Sequence, residues 1–211
     1  MQTVVVGGHA RKIGKTSVMA GLIRSLSSLG WTAVKITQHS HGAGGVQSES
    51  SGAGIEEDYL LTEEQTAEGR GDTSRYLAAG ARRALWLRVR QGTLQKAVPA
   101  LLAALGRDRF VMIESNSILS FLTPDLYLFV VDSRVRDFKP SARKFLRRAD
   151  ALVPVGPLEP RTWPGVDPSR FRNKPVFAVS RPDGLNLRLC RFVRRILHPS
   201  AASSVKVAMH S

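Results

Sequence analysis

The chain has 211 residues, enough for one packed domain, and its 43% hydrophobic content is ordinary for a protein that folds in water. No apolar run approaches the ~20 residues of a membrane span, and the run at 4–6 is too short for the core of a signal peptide. A single cysteine, Cys190, excludes an internal disulfide and a multi-cysteine metal cluster, so a cytoplasmic setting is expected. The net charge of +14 is unevenly spread. Residues 47–72 hold eight of the 17 acidic side chains against Arg70 alone, whereas residues 134–211 hold 17 Lys and Arg against five acids. Such a basic body attracts polyanions such as nucleotide phosphates, nucleic acid or an acidic protein. With three Trp and three Tyr, it lacks the aromatic interleaving of a single-strand nucleic-acid platform, so nucleic acid is not the favoured partner.

In chain order, residues 3–7 read as a buried strand. Residues 15–29 read as a helix, with Val18, Leu22, Leu26 and Leu29 sharing a face and Gly30 closing it. A second strand is expected at 31–37. Residues 40–71 are rich in Gly, Ser and Glu, show little periodicity and are expected to form a mobile loop or lid. A helix follows at 72–81, opened by Asp72, then a strand at 84–89 and a helix at 93–105 closed by Gly106. Strands at 110–114 and 126–132, a short basic helix at 141–148, strands at 151–155 and 175–180, and a helix at 185–197 complete the pattern. Strands alternating with helices, with uninterrupted apolar strands, predict an α/β fold: a mostly parallel central sheet flanked by helices on both faces, in three layers. One domain is expected over 1–198, with 199–211 as a tail. Ligands in such sheets bind at the carboxyl ends of the strands.

The loop after the first strand reads "GGHARKIGKTS". Gly14-Lys15-Thr16 has the ending of a phosphate-binding loop, G-x-x-x-x-G-K-[ST], but the position of the first glycine is held by His9, and Gly8 stands one residue early. The physical requirements are otherwise met: a strand aims the loop, small residues free the backbone N–H groups, and a helix starts at the lysine. Gly8, His9, Ala10, Arg11, Lys12, Ile13, Gly14, Lys15, Thr16 and Ser17 are therefore expected to surround nucleotide phosphates. Lys15 would act on the β- and γ-phosphates, and Thr16 would join Glu114, at the end of the 110–114 strand, in holding Mg²⁺. Glu114 would also polarise an attacking water. His39 and His41, two residues apart, point the same way in an extended segment and are read as two ligands of a shared metal ion, as substrate or phosphate contacts on the substrate side, or as exposed loop. Asp72, Thr73 and Arg75, at a helix start, form a cap or a substrate-side cluster. Asp183, in "SRPDG", is either a turn residue or a reader of guanine.

The five-residue spacer from Gly8 to Gly14 resembles the loops of dethiobiotin synthetases and cobyrinic-acid amidotransferase-type synthetases, in a broad class of P-loop NTPase folds. The stretch 1–132 resembles more closely the MobB family, nucleotide-binding adapters of molybdopterin-guanine dinucleotide biosynthesis. The likeness rests on "VKITQHSHG", with Lys35, His39 and His41, and on "DTSRYLAAGA", which matches at Asp72, Thr73, Arg75, Ala79, Gly80 and Ala81. Tyr76 stands where that family has histidine, and Glu114-Ser115-Asn116 where it has Glu-Gly. The resemblance implies a Mg²⁺-dependent GTP- or ATP-binding protein, and many members of the broad class act as homodimers. Turnover is expected to be slow, because no water-positioning Gln or trans arginine is visible. Two other readings stand beside it: an ATP-dependent ligase of the dethiobiotin synthetase kind, and a basic module for nucleic acid or an acidic protein partner.

Overall fold

The computed structural model describes residues 1–39, 58–159, 163–180 and 186–198. His41, Asp183, the expected tail and residues 40–57 of the expected loop lie outside them.

The first strand, β1 (Gln2–Gly8), is buried along all but its first residue and is an interior strand of a seven-stranded sheet. After it come α1 (Lys15–Ser25), β2 (Thr32–His39), β3 (Tyr59–Glu63), α2 (Asp72–Ala78), β4 (Arg83–Arg90), α3 (Leu94–Leu105) and β5 (Phe110–Glu114). The chain continues through β6 (Leu126–Val131), α4 (Pro140–Phe145), β7 (Ala151–Pro154) and α5 (Leu187–Leu197). The strand order is β3-β4-β2-β5-β1-β6-β7, parallel throughout except for β3. Every residue of β5, β6 and β7 is buried, because helices cover both faces and leave no solvent side for polar residues to occupy. Val4, Val6, Ala33 and Met112 pack with Val18, Leu22, Tyr76 and Val193 of α1, α2 and α5 on one face. Val5, Val34, Ile113 and Phe129 pack with Leu101, Ala142 and Phe145 of α3 and α4 on the other. The fold is thus the three-layer, mostly parallel α/β architecture that the alternation of elements predicts.

Three expectations change. The segment 40–71 was expected to lack regular structure, but Tyr59–Glu63 forms the antiparallel edge strand β3 on β4. Its acid-rich flanks hide the strand signal; they are matched by bases of the partner region, Asp58 by Arg90 and Lys96, and Glu63 by Arg83. The expected strand at 175–180 is reduced to isolated bridges, Leu152 with Val176 and Val155 with Val179. Leu152 N donates to Pro175 O, Phe177 N to Leu152 O and Val179 N to Pro154 O. The bond that would close the ladder requires an N–H on Pro154, which proline lacks. The expected helix at 15–29 ends at Ser25, and Ser27–Leu29 form a single 3₁₀ turn before Gly30, whose φ of 64° places it in the left-handed region.

Candidate phosphate-binding site

Parallel pairing sets the site. In register, Val6 of β1 faces Glu114 of β5, and Glu114 in turn faces Lys35 of β2. Three neighbouring strands therefore bring the entry to the 8–16 loop, a carboxylate and an ammonium to one level at the carboxyl edge of the sheet.

The loop shape answers the spacing question. A Cβ at Gly8 would meet Ile13 Cδ1 at 2.7 Å and the Val130 carbonyl at 2.8 Å, so the close approach that demands glycine occurs here, one residue early. His9 is fully buried and turned into the protein between Phe138 and Trp163, with ring centroids 5.3 and 4.9 Å away. Its Nδ1 lies 2.7 Å from the Asp137 carbonyl and its Nε2 accepts from Asp132 N–H at 3.0 Å, which together call for the neutral ring protonated at Nδ1. Burial is the main force holding its pKa below the usual histidine value, and the nearby Lys15 charge adds to it. The backbone of His9 is also engaged, N–H to Val130 O and carbonyl to Lys139 N–H. His9 thus ties the loop to the 132–139 segment, and its polar groups serve that tie rather than the loop interior.

Lys12 (φ 56°) and Gly14 (φ 97°) both adopt left-handed backbone, the alternation that turns successive N–H groups into an anion-binding concavity. Ile13 is fully buried and pins the loop, while Arg11 and Lys12 are exposed. Gly14 then precedes the first turn of α1, whose free N–H groups carry partial positive charge.

Glu114 is the centre of the side-chain cluster and is only 4% exposed. Its Oε1 accepts from Lys35 Nζ at 2.6 Å, and its Oε2 accepts from Thr16 Oγ1 at 3.0 Å and from Tyr76 Oη at 2.5 Å. Lys35 also meets Asp72 at 2.8 Å. Burial alone would lower the Lys35 pKa, but the two carboxylates outweigh it and hold that pKa above the ordinary lysine value. Burial likewise opposes ionisation of Asp72, and the Lys35 charge beside it holds its pKa down. Tyr76 is fully buried, and burial next to the Glu114 charge pushes its phenol well up, so it serves as a donor. Lys15 donates to the Ala10 carbonyl at 2.9 Å and lies 3.9 Å from Glu114. Burial lowers its pKa from 10.5 to about 8, helped by Lys35 and Lys139 and offset in part by Glu114.

Of the residues expected on the substrate side, Asp72 and Arg75 join this cluster. Arg75 donates to Ser17 Oγ at 3.3 Å and lies 3.8 Å from Asp72. Thr73 does not join it: Thr73 and Ser74 both donate to Glu64 Oε2 at 2.8 Å, anchoring the segment after β3. His39 ends β2, four residues or ~13 Å beyond Lys35 along the strand. It is exposed and within 3.2 Å of Thr37 Oγ1.

Two contributors were not assigned roles from sequence. Lys35 is the one charged residue in the strand stretch "TAVKIT", and a lysine in so apolar a setting is itself a signal of a buried partner. Asn116 left no such signal. Its amide clamps Gly8, accepting from Gly8 N–H at 2.9 Å and donating to the Gly8 carbonyl at 2.8 Å, while Tyr127 Oη donates to Asn116 Oδ1 at 3.2 Å.

The Thr16 hydroxyl, with the carboxylates of Glu114 and Asp72 close by, makes an all-oxygen donor set of the kind Mg²⁺ takes. Among the described residues no group of three or more His, Cys, Asp or Glu could hold a metal ion. A hard cation completed by ligand phosphates needs only one or two protein ligands, so the site fits that form.

No protein-family model matches the chain, and no curated protein matches its sequence. Among solved structures, LpxK from Aquifex aeolicus, in an "apo" form in complex with ATP, aligns at 18% identity and a TM-score of 0.46. The alignment covers 84% of this chain and 53% of LpxK, so the chain spans about half the length of that protein. HypB from Helicobacter pylori, in complex with nickel, aligns at 13% identity and a TM-score of 0.48, over 94% of this chain and 88% of HypB. No helix among the described residues is long and apolar enough to cross a membrane.

Proposed function

We propose that the chain is a P-loop nucleotide-binding protein that takes GTP or ATP with Mg²⁺ and hydrolyses it slowly. The observation that carries this reading is the convergence of Lys15, Thr16 and Glu114 at the start of α1, on the carboxyl edge of a parallel sheet. The left-handed Lys12 and Gly14, the Asn116 clamp on Gly8 and the helix N-terminus would cradle the phosphates. Thr16 and Glu114 would hold the metal ion, which when bound neutralises phosphate charge. Lys15 would leave the Ala10 carbonyl for the β- and γ-phosphates. Arg75, which donates to Ser17 next to Thr16, would meet charge developing at the terminal phosphate.

The finer reading is a MobB-like adapter, and through it a link to molybdenum cofactor biosynthesis with an acidic protein or a second copy as partner. It is supported by the "DTSR" turn, whose Asp72 and Arg75 fall beside the phosphate loop. Tyr76 takes over a family histidine position and uses it to donate to Glu114.

Titration with GTP and ATP, with and without Mg²⁺, tests the central reading. The parent should bind at least one of them with Mg²⁺, and Lys15→Ala should bind at least tenfold more weakly. Equal binding by parent and variant, or none by the parent, would refute it. Rescue of a strain lacking its MobB adapter tests the finer one.

A further inference from the structure

Beyond the loop, the upper part of one sheet face bears side chains that no mechanism above uses. Alternation from Ala33 and Ala84, which face α1 and α2, puts Lys35, Thr37 and His39 of β2 on that face with Trp86 and Arg88 of β4. The register pairs Lys35 with Trp86, Thr37 with Arg88 and, from β3, Leu60 with Arg88. Helix α2 starts at Asp72, level with Lys35, so Thr37, His39 and Arg88 lie past its first turn. Trp86 and Arg88 are half-buried, while His39 and Leu60 are exposed.

Arg88 is the unusual member. Its guanidinium sits over the Trp86 ring, 4.6 Å from the centroid, and the indole is itself fixed by Nε1 donating to Thr37 Oγ1 at 3.0 Å. Its Nε is buried without a hydrogen-bond partner, and it forms no ion pair among the described residues. Among the described residues, the acids of the adjoining segments are already committed: Asp58 to Arg90 and Lys96, Glu63 to Arg83, Glu64 to Thr73 and Ser74, and Asp72 to Lys35. A half-buried cation with no acid of the described residues paired to it is a ready anion receptor, and a guanidinium suits the planar carboxylate or the phosphate group. One strand over and two residues on from Lys35, its Cα lies about 8 Å from that of Lys35.

We propose that Arg88, braced on Trp86, binds the carboxylate or phosphate group of a small second ligand that reaches from this face to the nucleotide's terminal phosphate. The proposal rests on the nucleotide reading for the ligand's second end, but the anion subsite stands on its own residues. Intrinsic fluorescence reads it, because Trp31 and Trp163 are fully buried and Trp86 is the partly exposed indole. The full chain carrying Lys15→Ala, which weakens anion binding in the phosphate loop, is titrated at constant ionic strength with inorganic phosphate and, separately, with succinate. At least one probe should give a saturable change that weakens at least fivefold when Arg88→Gln is added and less when Arg88→Lys is added. A response to phosphate alone assigns a phosphate group, and one to succinate alone a carboxylate. No saturable response to either probe, or one that Arg88→Gln leaves unchanged, overturns the subsite. In the otherwise unaltered chain, Arg88→Gln should change Mg-nucleotide affinity by less than twofold. If the parent binds no nucleotide while the Arg88-dependent response persists, the nucleotide reading fails and the subsite stands.

Discussion

Raising the pH from 7 to 9 should weaken nucleotide binding through one side chain, Lys15. Burial holds its pKa near 8 in the nucleotide-free protein, against an ordinary 10.5. Phosphate oxygens in contact with the ammonium would favour the charged form, so a nucleotide complex would retain the proton that the free protein loses above pH 8. At pH 9 about one molecule in ten carries the proton before binding, and affinity should fall by about tenfold, or ~1.4 kcal/mol. The effect on folding has the opposite sign. The folded-state pKa lies below the unfolded one, so between about 8 and 10.5 the unfolded chain binds more protons, and this group's contribution to stability rises with pH. The destabilisation in force below pH 8 is roughly 3 kcal/mol. Calorimetric titration with Mg-ATP at pH 7, 8 and 9, in buffers of different ionisation enthalpy, measures both affinity and proton uptake. Lys15→Arg should abolish both trends, since its guanidinium stays charged throughout. Equal affinity at pH 7 and 9 with no proton uptake at pH 8–9 would refute the argument.

Other perturbations probe the supports of the site. Gly7→Ala would set a Cβ 2.2 Å from Asn116 Oδ1 and 2.7 Å from Tyr127 Oη, so it should break the clamp on Gly8. A loss of about 2 kcal/mol or more in urea unfolding and at least tenfold weaker nucleotide binding are expected. Tyr76→Phe removes a buried donor to the Glu114 carboxylate and should lower stability by roughly 1.5–3 kcal/mol, read by the same denaturation. For His9, burial places the folded-state pKa below 6.5, so its contribution to stability is present above pH 6.5 and is lost as the pH falls below that value. The thermal midpoint of the parent should drop from pH 7 to pH 5, and His9→Gln should flatten that dependence at the cost of a lower midpoint at pH 7.

Much of this molecule was legible along the chain because the signals are local. Continuous apolar runs mark strands covered on both sides, and β1, β5, β6 and β7 follow them closely. Gly14-Lys15-Thr16 between a strand and a helix marks the loop, and Glu114 stands out as the acid closing a buried strand. The sequence by itself determined the α/β class, the place of the loop and the carboxyl edge of the sheet, where folds of this class bind ligands. Only the tertiary structure decided what surrounds them, because each such contact joins positions far apart in the chain. Lys35, Tyr76 and Thr16 meet Glu114 from three separate elements. The Asn116 amide reaches Gly8 across 108 residues, and His9 reaches Asp137 across 128. The early glycine and the histidine that follows show the division most clearly. Spacing alone marked the offset, but the close approach of Val130 and Ile13 to Gly8, and the aromatic walls around His9, account for it. Those distances depend on how separate elements pack, a property that no local pattern of residue types encodes.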